Sequence, residues 1–263
     1  MAGGVLLLLM ACVAVLAPVL LTVDPIEMKP AQRLRAPAAT HWFGTDMYGR
    51  DSYSRVVYGS RISLVVGLIV ATITSVIGLG LGVFAGFVRR LDGIVMRVMD
   101  GIMALPDLLL AITFVALTGA SVRNVIIALV IPQTPRVVRL VRGVVLSLRE
   151  QPFVEASVAL GAGLGRTVLR HVLPNTVAPL IVQGTYVCAS AILIEAALSF
   201  LGAGTPPEIP TWGNMIAQSR LFLSRAPWTI FAPGIALALV VLAVNLLGDG
   251  LRDRLDPRLA RRM

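Results

Sequence analysis

At 263 residues, with 57% hydrophobic and 14% charged side chains and a mean hydropathy of +0.85, the chain lacks the charge needed to wet a soluble surface. Soluble domains carry roughly 25% charged residues, so a soluble globule is excluded and an all-α integral membrane protein is expected. The net charge of +9 does not imply a nucleic-acid partner, because Lys29 is the single lysine and the arginines flank apolar runs, as topology requires.

A bilayer core takes roughly 20 apolar residues per crossing, so five or six spans use up the chain and leave one membrane domain, 1–263. The first span is expected over about 4–23. Only Met1–Gly3 precede it and no small-residue cleavage motif closes it, so it reads as a retained helix and not as a secretory signal. Residues 24–60 are too polar for the bilayer and form an external segment. Span two, about 62–88, carries Gly78, Gly82 and Gly86 at four-residue intervals, a smooth face for close approach of another helix. The stretch Gly80–Ala85 loosely matches a dinucleotide fingerprint, but it lies inside a long apolar run where no strand precedes it, so packing is the better reading.

Span three, about 99–119, holds Asp100, Pro106 and Asp107. A proline there frees a carbonyl and kinks the helix. Span four is expected over about 122–143, with Arg136, Arg139 and Arg142 read as a helix emerging into the cytoplasm. Residues 144–174 form a cytoplasmic loop containing a short helix (Glu155–Leu160), a glycine turn (Gly161, Gly163, Gly165) and a second helix ending before Pro174. Spans five and six cover about 175–202 and 229–248, with an external segment over 203–228. Cys12 and Cys188 both fall in apolar stretches and read as buried structural thiols.

With the N-terminus inside, segments 89–98, 136–174 and the tail hold fourteen arginines against nine cations on the opposite side. Positive charge retained on the cytoplasmic side therefore favours both termini inside.

No phosphate-binding loop is available, since Lys29 is flanked by Met28 and Pro30. No G-x-S-x-G elbow occurs, and His41 and His171 have no companion at metal-ligand spacing. The pattern is that of a conduit, with no catalytic residues, metal site or cofactor of its own. Polar groups within spans are expensive and thus functional candidates; Asp107, Gln183 and Glu195 qualify as substrate-pathway residues. For Glu195 a structural hydrogen bond to a neighbouring helix is an equal reading. Asp249 and Arg252, three apart, are expected to pair within one helix. The segments His41–Asp51 and 205–227 are candidate docking surfaces for an external protein, with a purely local turn role for Gly44, Asp46 and Gly49 as the alternative.

Residues 155–174, EASVALGAGLGRTVLRHVLP, resemble the EAA loop of ATP-binding-cassette (ABC) importer permeases through Glu155, Ala156, Gly161, Leu173 and Pro174. Ser157 replaces the third small residue, and His171 stands where isoleucine is common. HWFGTDMYGRD (41–51), RISLVVG (61–67), DGIMALPDLLLAI (100–112), EAALSFLGAG (195–204), PTWGNMI (210–216) and NLLGDGLRDRLDPR (245–258) are similar to the dipeptide and oligopeptide branch, second of its two permease types. One departure is the N-terminus, where members usually carry a polar tail before the first span. The resemblance implies a type I ABC importer permease fold of about six transmembrane helices in the bacterial cytoplasmic membrane, working by alternating access. It also implies partners: a second homologous permease, two ATPase subunits that bind ATP and Mg, and an extracytoplasmic substrate-binding protein. Glu155, Ala156, Gly161, Leu173 and Pro174 are then the residues coupling the chain to its ATPase, with Arg149 and Arg166 as rim contacts or simple topology charges. Dipeptides or oligopeptides are the implied cargo; nickel, glutathione or another small solute is the alternative. An ATPase-independent carrier or channel would show inverted internal repeats, and none is evident.

Overall fold

Ten α-helices run through residues 2–255, the part of the chain that the computed structural model describes. In order they are α1 (Ala2–Leu20), α2 (Ser52–Phe87), α3 (Arg89–Met103), α4 (Asp107–Thr118), α5 (Val122–Arg149), α6 (Pro152–Ala159), α7 (Leu164–Thr167), α8 (Leu173–Phe200), α9 (Trp212–Ser219) and α10 (Trp228–Leu255). Five helical runs are long and apolar enough to cross a membrane, and α3 with α4 makes a sixth if that bent pair counts as one span. Arg258, Arg261 and Arg262, counted above toward the cytoplasmic side, lie outside the described residues.

Local chemistry sets the helix ends. The side chains of Asp51, Ser121 and Thr211 accept from the backbone N–H three residues on, at 2.8, 3.1 and 3.2 Å, and so cap α2, α5 and α9. The cap at Asp51 starts α2 ten residues before the apolar run does, so this helix is longer than the expected span. Over 99–119 the backbone is not one helix: α3 and α4 meet at 85°. Pro106 causes the break, because it offers no N–H and disfavours helical geometry in the residue before it. Arg136, Arg139 and Arg142 lie inside α5, which stays helical for seven residues beyond Arg142, to Arg149. The second helix of the cytoplasmic segment does not stop before Pro174 either. It runs through a π-helical turn, Val168–Val172, into α8, giving one helical run from Gly165 to Phe200. The wider turn absorbs the hydrogen bond that Pro174 cannot make.

α5 is the most enclosed of the long helices. Its Val137, Val141 and Val145 pack on Gly78, Gly82 and Gly86 of α2, in step and with both helices running the same way. A Cβ at Gly82 would lie 2.6 Å from Val141 Cβ, and one at Gly86 would lie 2.5 Å from Val145 Cγ1, so only glycine admits this approach. Val66, Val70, Leu129 and Val187 extend the same core to α8. α10 closes the other side of α8 through Ile192, Val240 and Val244, and α1 lies at the edge against α2 and α10.

Candidate functional site

Three regions carry the polar chemistry of the described residues: a lobe between α5 and α8, expected on the cytoplasmic side, a charged ladder on α5, and a cap over the start of α2, expected on the outer side.

In the lobe, α6 ends at a left-handed residue, Gly161 (φ 84°), and the Ala162 N–H reaches back to the Ser157 carbonyl at 3.1 Å. This is the Schellman arrangement, and it suits glycine because a side chain at positive φ is strained. Glu155, Ala156 and Gly161 are exposed at the tip, beside Leu160, which is 88% exposed. Leu173 and Pro174 lie elsewhere, on the returning helix, so the structure separates the five sequence-predicted coupling residues into a tip and a stem. The Phe153 and His171 rings, 5.8 Å apart, join the two arms, and Val154, Thr167 and Val172 are buried between them. Arg166 is exposed. Arg149, by contrast, donates to the Gly86 carbonyl at the end of α2, which neither rim contact nor plain topology anticipated.

The ladder consists of three ion pairs between α5 and the bent pair α3–α4. Arg136 binds Asp107 at 2.8 Å, Arg139 binds Asp100 at 2.5 Å, and Arg142 grips Asp92 through both Nε and Nη2. Asp107, expected as a pathway residue, is thus brought against a specific arginine. Gln183 lines a cavity of about 380 Å³ with Leu140, Tyr186 and Arg252. Beyond it, the Tyr186 hydroxyl donates to Asp249 Oδ1 at 2.6 Å. The expected Asp249–Arg252 pair is therefore replaced by an interhelical bond, which satisfies the carboxylate across to α8. Glu195 is remote from both. It is 1% exposed and accepts from Ser199 Oγ at 2.9 Å, beside a buried cluster in which Asn214 donates to Thr205 Oγ1 (2.9 Å) and to the Thr205 carbonyl (3.0 Å). Ser199 lies on the same helix as Glu195, Thr205 and Thr211 belong to the segment leading into α9, and Asn214 lies in its first turn, so Glu195 sits buried at the α8–α9 corner.

In the outer cap, His41 contacts Asp51 at 2.8 Å through Nδ1 and Gln32 at 2.9 Å through Nε2. Arg50 donates to Asp46 and Gln218, each at 2.6 Å. Gly44 and Gly49 both adopt positive φ, 65° and 75°. These contacts are the local turn role that sequence reading offered for Gly44, Asp46 and Gly49.

Sequence reading missed Arg136, Arg139, Asp100 and Tyr186 as members of a polar face. The one available signal was periodic: arginines three apart on α5, and aspartates eight and seven apart at Asp92, Asp100 and Asp107. Of the two thiols expected to be buried, Cys188 is half-buried and Cys12 is exposed on α1. Among the described residues, no group of three His, Cys, Asp or Glu side chains is placed to hold a metal ion.

A glycine-packed helical bundle with five or six candidate crossings, an exposed helix–turn–helix lobe and polar residues along α5 and α8 defines a multi-pass membrane protein. The chain belongs to the family of binding-protein-dependent transport system inner membrane components, whose model matches residues 78–261. It is 57% identical over 260 residues to a probable peptide ABC transporter permease protein of Sinorhizobium fredii, covering 99% of this chain and 89% of the relative. It is 46% identical over 248 residues to a dipeptide transport system permease protein of Alkalihalophilus pseudofirmus, covering 94% and 82%. Among solved structures, the inward-facing MetNI methionine ABC transporter aligns with a TM-score of 0.62 at 21% identity, over 75% of this chain and 95% of that one. That likeness concerns the fold.

Proposed function

We propose that the chain is a permease subunit of an ATP-driven importer for dipeptides or oligopeptides, moving its cargo by alternating access. Relatives named for peptide and dipeptide transport support the cargo. The observation that carries the coupling is the exposed lobe 152–161, locked by Gly161 and continuous with α5 on one side and α8 on the other. Glu155 and Ala156 form the docking face toward an ATP-binding-cassette subunit. Gly161 fixes its angle, and Leu173 and Pro174 form the stem that carries movement into α8.

The partners in this reading are a second permease, two ATPase subunits holding ATP and Mg, and an extracytoplasmic binding protein. Nucleotide binds the two ATPase arrangements with different affinity, and that difference is what shifts the permease pair between its states. Asp107 and Gln183 belong to the translocation face; Glu195 does not.

The test is uptake of labelled dialanine into proteoliposomes holding the full complex. Uptake that requires both ATP and binding protein, and falls when Glu155 and Ala156 are replaced by lysine, supports the reading. Uptake by this chain without ATPase subunits contradicts it.

A further inference from the structure

The three rungs of the α5 ladder are not equivalent. Arg142 uses two nitrogens on both oxygens of Asp92, and the two side chains are only 29% and 27% exposed, so this rung is a closed staple. Arg136 and Arg139 each offer a single Nη2 to their aspartates and are 47% and 45% exposed. A guanidinium has five N–H donors, so both keep donors free.

Position makes this exposure informative. Val137 packs on Gly78 and Val145 on Gly86, next to the end of α2 at Phe87. Nine residues at about 1.5 Å each put Arg136 roughly 13 Å short of the level of that end. Charged groups within a span are expensive against lipid and line polar cavities instead, and Arg136 and Arg139 both lie within α5, a helix long and apolar enough to cross a membrane. The α2 contact occupies the opposite side of α5, leaving Arg136, Arg139 and Leu140 on the open one. There a cavity of about 460 Å³ lies beside Arg139 and Leu140, and the second, lined by Leu140, continues to Gln183, Tyr186 and Arg252.

We propose that the Asp107–Arg136 and Asp100–Arg139 pairs form a binding strip for the two charged termini of a zwitterionic solute. A guanidinium takes the solute carboxylate while an aspartate takes its ammonium. This rests on the peptide-importer reading above. Arg136 and Arg139 are about 4.5 Å apart along α5, and an extended dipeptide reaches about 7 Å, so one molecule engages adjacent rungs. Exposed ion pairs contribute little to stability, so exchanging an internal partner for the solute costs little in either direction. The solute is neither excluded nor trapped, as conduction requires.

The test uses the complete importer in proteoliposomes with labelled dialanine, comparing wild type with Asp107→Asn/Arg136→Gln and Asp100→Asn/Arg139→Gln. Uptake per assembled complex is expected to fall about tenfold in each, the loss of one charge-assisted contact. In a background with Cys12→Ser and Cys188→Ser, the thiol of a Leu140→Cys variant, which lines both cavities and leaves the two ion pairs in place, is expected to react with a charged, membrane-impermeant reagent at a rate that dialanine slows. This second measurement holds even if a double variant assembles poorly, because a purely structural pair gives no protection by solute. A wild type that transports dialanine while the double variants keep pace, or a thiol that dialanine does not protect, overturns the strip alone. A wild type that takes up no dialanine contradicts the cargo assigned above, and the strip with it.

Discussion

Arg149 donates to the Gly86 carbonyl oxygen across 2.7 Å, joining the last turn of α5 to the last turn of α2. A cation at a helix C-terminus satisfies an orphan carbonyl and complements the negative end of the helix dipole. The same residue lies three positions before α6, so the bond sits where the lobe joins the bundle. Arg149→Gln is expected to reduce solute moved per ATP hydrolysed while leaving the chain inserted, as measured by paired uptake and phosphate-release assays. Unchanged stoichiometry would make the bond a static cap.

The glycine face of α2 gives a sharp contrast. A Cβ at Gly82 would lie 2.6 Å from Val141 Cβ and 2.9 Å from the Val138 carbonyl oxygen, whereas Gly80 has nothing within 4 Å. Gly82→Ala should destabilise the bundle by about 1–3 kcal/mol, the usual range for overpacking. Gly80→Ala should be neutral or slightly stabilising, since alanine is the better helix former. Thermal unfolding in detergent checks both, and Val141→Ala should recover part of the Gly82→Ala loss by removing Cγ1, which would lie 2.7 Å away, while the Cβ contact remains.

Gly161 and Gly163 share one turn but differ in backbone. Gly161 sits at φ 84°, while Gly163 lies outside the left-handed region and has open space around it. Gly161→Ala should cost about 1–2 kcal/mol of local strain and lower the amount of ATPase that copurifies with the chain. Gly163→Ala should leave copurification near wild type. Equal effects from the two would mean that turn geometry is not what the partner reads.

The burial of Glu195 makes the identity of its replacement decisive. Glutamine keeps an oxygen to accept from Ser199, whereas leucine leaves that hydroxyl without its partner. Glu195→Gln should fold and transport close to wild type, and Glu195→Leu should lose about 1–3 kcal/mol, the usual cost of an orphaned buried polar group. A change in solute preference in the glutamine variant, read from competition between peptides in uptake, would contradict a structural role.

What the sequence revealed depended on whether its signal was local. Gly78, Gly82 and Gly86 announce a close-packed face because three small residues on one side of a helix have few other uses, and the partner helix is indeed in contact there. Pro106 signalled a kink, but not its 85° size or the length of α3, because an amphipathic helix lying off-axis does not look like a span. The lobe showed its helix–turn–helix plan through Gly161, but the proline at 174 suggested an end where a π-helical turn carries the helix onward. Arg136, Arg139 and Arg142 looked like retention charges because their partners are 29, 39 and 50 residues away, beyond anything spacing along the chain can pair. Asp249 misled for the same reason: Arg252 is near in sequence, yet Tyr186, 63 residues away, provides its hydrogen bond.

In the proposed function, the lobe between α5 and α8 is where an ATPase engages this chain. The most direct measurement places a photo-crosslinking amino acid at Ala156 in the assembled importer and identifies what it captures with and without nucleotide. The account predicts a crosslink to an ATP-binding subunit whose yield changes when ATP binds. Crosslinks to lipid alone, in a complex that still transports with ATP, would contradict it.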